Sequence, residues 1–172
     1  SRALNTVVKR WALLFFLCVL ALPAGAGVQQ GQAAPPVELP LLTAEDGSTF
    51  SLQSLRGKVV YLDFWASWCG PCRISFTQLE QLRQELGPRG FEVLAVNLDE
   101  LEPDALKFLE EILVTYPVVR DAAGDTPLTY GVMGMPTGYL IDRVGVVQLV
   151  HQGYRKSDGA TLRTSIINLL GE

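Results

Sequence analysis

Hydrophobic and polar positions sort the chain into three stretches with different patterns. Trp11 to Ala26 is nearly unbroken apolar sequence, and Gly27 to Pro36 is Gln, Ala, Gly and Pro with Val28 as its main apolar residue. From Val37 onward, short apolar blocks alternate with turn residues, as in a folded domain, and no repeat or low-complexity segment is visible. Glu38 to Leu42 and Thr49 to Leu52 flank Glu45-Asp46-Gly47-Ser48, whose Asp-Gly predicts a hairpin. A short turn capped by Ser51 follows through Leu55. Val59 to Trp65 is a near-continuous run of strand formers, the pattern of a central strand covered on both faces, and Asp63 interrupts it.

Ile74, Phe76, Leu79, Leu82 and Leu86 then recur at helical spacing, and Gly87-Pro88 stops that helix. Phe91 to Leu98 reads as a second buried strand, followed by a helix carrying Leu101, Ala105, Phe108, Leu109 and Ile112, with Pro103 in its first turn. By spacing, Phe108 and Leu109 face the core. Strand, helix, strand, helix calls for a parallel sheet with right-handed crossovers. Pro117-Val118-Val119 is a short extended piece, and Pro127 to Tyr130 predicts one helical turn before Gly131. Thr137 to Ile141 and Val144 to Val150, joined at Asp142-Arg143, predict an antiparallel pair, and Asp158 is expected to cap a last helix with Leu162, Ile166, Leu169 and Leu170. The expected fold class is α/β: a mixed central sheet with helices on both faces, an N-terminal hairpin extension and a helical insertion after the second core strand.

Composition narrows the functional classes. The 172 residues, 48% of them apolar, suit one domain plus extra apolar sequence, divided here as 1–27, a linker 28–36 and a domain 37–172. A formal charge of −4 with scattered Lys and Arg gives no nucleic-acid footprint, so no nucleic-acid partner is expected. Arg2, Lys9 and Arg10 precede the first apolar run and Ala24-Gly25-Ala26 closes it, which is the layout of a secretory signal. Export is therefore expected, either as a cleaved signal or with residues 11–26 kept as a membrane anchor, placing the domain in the periplasm or another extracytoplasmic space. Cys18 lies within the apolar run after Leu17, where a lipid-attachment signal wants a small residue, and is read as an ordinary apolar position.

Cys69-x-x-Cys72 falls between a predicted buried strand and a predicted helix. At a helix start, unpaired N–H groups and the helix dipole favour negative charge and lower the pKa of the first thiol. Cys69 is expected to be the exposed, attacking thiolate. Cys72, one turn deeper, would attack the resulting mixed disulfide and release the partner. Gly70 allows the tight turn, and Pro71 suits the first helical turn because it has no N–H to satisfy. A structural staple and a zinc half-site are the competing readings. So short a loop removes little chain entropy, and beyond residue 27 the chain offers no other Cys and one His, His151. No metal and no cofactor are expected beyond the redox-active Cys69–Cys72 disulfide. Asp63 is costly in an apolar strand unless paired or protonated, so its pKa should be raised; a strand-edge carboxylate facing solvent is the alternative.

Asp63-Phe64-Trp65-Ala66-Ser67-Trp68-Cys69-Gly70-Pro71-Cys72 closely resembles the active-site stretch of thioredoxins. From about Val37 on, the chain is similar to the TlpA-like branch of exported, often membrane-tethered thioredoxin-like proteins that reduce disulfides, including those of apocytochrome c. Val96-Asn97-Leu98-Asp99-Glu100, Tyr116 to Asp121, Tyr130-Gly131-Val132, Met135-Pro136-Thr137 and Leu140 to Arg143 carry that similarity. The resemblance implies a thioredoxin-like fold and a cis bond before Pro136, which would face the cysteines. It implies that Met135 offers backbone hydrogen bonds to an extended substrate and that Trp68, Gly70 and Pro71 form the surface the substrate meets. It implies that Asp63 takes a proton from Cys72. The implied partners are disulfide-containing exported proteins and an upstream membrane or exported thiol electron donor. TlpA-like proteins commonly have Asn or another residue where Asp63 stands, a Glu at the position of Ser75 and a helix-kinking Pro at that of Thr77, so the site looks closer to general thioredoxin.

Other residues have plain readings. Trp65 and Trp68 are read as one core support and one exposed platform beside the thiolate, with simple packing of both as the alternative. His151 is read as a surface residue ahead of a proton donor. Glu100, Glu102, Asp104, Glu110 and Glu111 are read as a solvated helix face. The expected activity is thiol-disulfide oxidoreduction, most simply reduction of substrate disulfides. A dithiol oxidase or isomerase, and a non-redox binding module on the same scaffold, are the alternatives.

Overall fold

The computed structural model describes residues 27–171. The predicted signal or anchor, with Cys18, lies outside these residues. In chain order the described residues form β1 (Glu38–Pro40), β2 (Thr49–Ser51), β3 (Val59–Trp65), α1 (Gly70–Leu86), β4 (Phe91–Asn97), α2 (Glu102–Glu111), β5 (Val118–Arg120), α3 (Asp125–Tyr130), β6 (Thr137–Ile141), β7 (Val147–Gln152) and α4 (Asp158–Leu170). Short 3-10 turns occupy Leu52–Leu55 and Gly87–Arg89. Among the described residues, no helix is long and apolar enough to cross a membrane.

Two buried strands, β3 and β4, pair in parallel at the middle of a five-stranded sheet ordered β5-β4-β3-β6-β7. β5 adds in parallel to β4, while β6 runs antiparallel to both β3 and β7. Side chains alternate along β3, so its two faces build two cores. Val59, Tyr61 and Trp65 pack with Phe76, Leu79 and Leu82 of α1, Phe108 of α2 and Leu162 and Ile166 of α4. Val60, Leu62 and Phe64 pack on the other side with Leu52, Leu55 and Tyr130. Aromatic rings anchor both layers: Trp65 lies 4.5 Å from Phe76 and 4.7 Å from Phe108, and Phe64 lies 5.4 Å from Tyr130. The mixed sheet, helices on both faces, leading hairpin and extra helix α2 agree with the fold expected from the sequence.

Four local expectations need correction. Residues 28–36, expected as a linker, are fastened to the domain: Val28 N donates to Tyr130 O (3.0 Å), Gly31 N to Val147 O (2.8 Å) and Ala34 N to Gly145 O (2.9 Å). Backbone bonds make much of this attachment, the Tyr130 hydroxyl donates to Pro35 O (2.6 Å), and Val28 and Ala34 pack against the core, contacts that no local pattern signals. The strand expected from Val144 begins at Val147, because Gly145 takes φ +89° and the Asp142 carboxylate accepts from the amides of Val144 and Val146. Leu101 precedes α2 and is exposed instead of packing, whereas Leu109 packs against the core as its spacing predicts, partly buried. Asp158 does not cap α4; Ser157 holds the cap position, and Asp158, the first helical residue, accepts from Arg155 N (2.8 Å).

Candidate active site

The carboxyl end of β3 and the start of α1 place the cysteine pair. Cys69 is the N-cap residue with extended backbone, and Gly70 and Pro71 open the helix. Cys69 and Cys72 are joined in a disulfide with Cα atoms 5.3 Å apart. Cys69 retains 4% of its surface and Cys72 none, so Cys69 is the more accessible sulfur residue but much less open in the disulfide form than the sequence suggested. The fold packs Cys69 into the same cluster as Cys72, Trp65 and Phe76. Trp65 is fully buried, whereas Trp68 is 72% exposed beside Cys69. The Met135–Pro136 bond is cis, and Pro136 is buried at the start of β6 with Met135 packed against the cluster that holds both cysteines.

Asp63 is completely buried in β3, which excludes the solvent-facing alternative. Burial pushes its carboxyl well above the usual range, and the nearby Ser75 hydroxyl acts in the opposite sense. That hydroxyl is within bonding distance of the Cys72 carbonyl (3.1 Å), leaving both Asp63 oxygens without a hydrogen-bond partner. Ser75 is thus the polar side chain that acts on both Asp63 and the carbonyl of Cys72. Thr77 also has a simple place: its hydroxyl donates to Arg73 O (3.1 Å), and α1 runs unbroken through it.

The loop before Cys69 has a support that motif reading missed. Buried Asp99 accepts from Ser67 N (2.9 Å) and Ser67 Oγ (2.6 Å), and also from Asn97 Nδ2 (2.6 Å). Arg120 donates to the Asp99 and Glu100 carbonyls (3.3 and 3.0 Å), so β4, β5 and the active-site loop are tied at one point. Asp99 was visible in the sequence only as part of a family-like segment. Next to the pair, Arg73 bonds Glu111 of α2 (2.9 Å) and lies over the Phe108 ring (5.0 Å). The acidic residues of α2 are otherwise exposed, as a solvated face should be. No group of three or more potential metal ligands occurs among the described residues.

The Redoxin family model matches residues 29–166. The chain is 38% identical to thiol-disulfide oxidoreductase ResA of Oceanobacillus iheyensis over 72% of this chain and 65% of that protein. It is 38% identical to the thioredoxin-like protein YneN of Bacillus subtilis, over 74% of each. Among solved structures, a DsbE-type thiol:disulfide interchange protein from Chlorobium tepidum is 46% identical with a TM-score of 0.79, covering 84% of this chain and 99% of the other.

Proposed function

The chain belongs to the Redoxin family and is a thiol-disulfide oxidoreductase of the ResA type, and from that premise we propose that it acts as an exported reductase of protein disulfides through Cys69. The single observation that carries this reading is the placement of the two cysteines: one holds the N-cap position of a helix with residual access, and the other is fully sealed one turn on, with a buried acid in the preceding strand.

In the reduced protein the Cys69 thiolate attacks a substrate disulfide, one substrate sulfur leaves as thiolate, and a Cys69–substrate mixed disulfide forms. Cys72 then passes its thiol proton to the Asp63 carboxylate and attacks the Cys69 sulfur. The second substrate thiolate leaves, and two electrons have moved from the protein dithiol to the substrate. The disulfide state described here is the product of that step, with Asp63 holding the proton that its burial favours. Trp68, Gly70, Pro71 and the Met135–Pro136 turn form the surface that receives the substrate chain, and a thiol protein or membrane relay returns the electrons. Apocytochrome c is the first substrate to test, because of the resemblance to relatives that reduce it.

The test combines the equilibrium potential of the Cys69–Cys72 couple with turnover on a protein disulfide. A potential near ~−270 mV supports reduction, and one near ~−120 mV would instead make the protein an oxidant. Cys69→Ser should lose turnover, and Cys72→Ser should accumulate mixed disulfides; full activity of the first variant overturns the proposal.

A further inference from the structure

Asp63 is sealed in the core, yet one row of the sheet leads from it to the surface. Asp63 of β3 stands opposite Gly138 of β6, and Gly138 stands opposite His151 of β7. Directly opposed residues project to the same face, so Asp63 and His151 flank a position with no side chain. The Tyr61 hydroxyl fills that position: a Cβ on Gly138 would overlap it. At the outer end, His151 Nε2 lies 3.1 Å from Asp158 Oδ2, both side chains are partly exposed, and the His151 ring stacks on Tyr154 at 5.4 Å. The Tyr154 hydroxyl is buried without a hydrogen-bond partner, like both oxygens of Asp63.

We propose that Asp63 exchanges its proton with solvent along this row, through water molecules held beside the hydroxyls of Tyr61 and Tyr154, to the His151–Asp158 pair at the surface. The proposal rests on the reading that Asp63 takes up the Cys72 proton. A sealed Asp63–Cys72 pair would keep whatever proton count it was last given. With a route outward, the acid equilibrates with bulk pH between turnovers. Neither the Asp63 oxygens nor the Tyr154 hydroxyl bonds the next group directly, so in the transfer bridging water carries the proton from Asp63 past the two hydroxyls to the imidazole, and His151 delivers it to bulk water; no electrons move. The orphan oxygens of Asp63 and Tyr154 are also the groups that a water molecule entering from the β7–α4 side would bond.

The groups facing Asp63 agree with this direction. Ser75 and Cys72 approach from α1, Tyr116 from the segment before β5, Tyr61 from β3 itself and Tyr154 from beyond β7. Burial raises all three phenols, and the Asp63 charge raises them further; the Asp158 charge adds to this at Tyr61 and Tyr154 but not at Tyr116. Tyr61 and Tyr154 therefore lie within reach of both carboxylates. Tyr116 senses Glu80 and Tyr154 instead of Asp158.

The experiment is a pH jump on the disulfide form, following the Asp63 carboxyl band in the infrared, identified by its loss in Asp63→Asn. Tyr61→Phe and His151→Gln should each relax at least about tenfold more slowly than the parent with the same titration midpoint. Added imidazole should restore the rate of His151→Gln in proportion to its concentration. Unchanged rates, or a moved midpoint with an unchanged rate, overturn the relay. If Tyr61→Phe does not fold, His151→Gln with imidazole decides alone. The underlying reading fails separately, by an unchanged pH profile of turnover in Asp63→Asn, whatever the relaxation rates.

Discussion

At the scale of single residues, the two acids around the cysteines do opposite work. Asp63 is unpaired and raised by burial, so the folded state holds its proton more tightly than the unfolded chain does. Its contribution to stability is fully present below the ordinary carboxylate range and is lost as pH rises through the raised value. Asp63→Asn should therefore change the Tm of the disulfide form little near about pH 3 and raise it near about pH 7, which thermal unfolding at both pH values would check. The same variant should slow turnover by about tenfold or more near neutral pH, read from the pH profile of disulfide reduction. Asp99 is instead fully bonded, and Asp99→Ala leaves the Ser67 amide and hydroxyl without their acceptor. The expected cost is about 1–3 kcal/mol in denaturant unfolding, with a loss of turnover as the loop carrying Trp68 and Cys69 loosens. Asp63 was legible because an acid in an apolar strand stands out within seven residues. Asp99 was not, because its partner Ser67 is 32 residues away.

Among the elements, the legible ones were those whose pattern is local. β3, α1 and β6 begin and end within a residue or two of where alternation, helical spacing and breakers put them. β7 was misplaced because its start depends on the left-handed Gly145 and on Asp142 gathering the turn amides, competing with strand propensity. Gly138 shows how an element can be constrained by its neighbour. It is an ordinary strand residue by sequence, yet the Tyr61 hydroxyl occupies the space a side chain would need. Gly138→Ala must displace that ring, and a loss of about 1–3 kcal/mol is expected from denaturant unfolding. An unchanged midpoint would mean that Tyr61 has room to move.

For the whole molecule, the segment from Val28 to Ala34 is a strap across β7 and the end of α3. Four backbone bonds hold it, from Val28, Gly31 and Ala34 and from Val147 back to Gln32. A chain beginning at Pro35 should lose about 2 kcal/mol, seen as a lower Tm, while keeping its disulfide chemistry, since the strap lies away from Cys69. By itself the sequence determined the α/β class and placed a cysteine pair at a strand-to-helix junction and an acid within an apolar strand, because each is written in short-range pattern, while the cis proline was expected only from the family resemblance. Only the tertiary structure decided that Asp99 steadies Ser67, that the strap is attached, and that Asp63, Gly138 and His151 form one row. Those facts depend on strand register and chain crossing, which bring together residues that no local period connects.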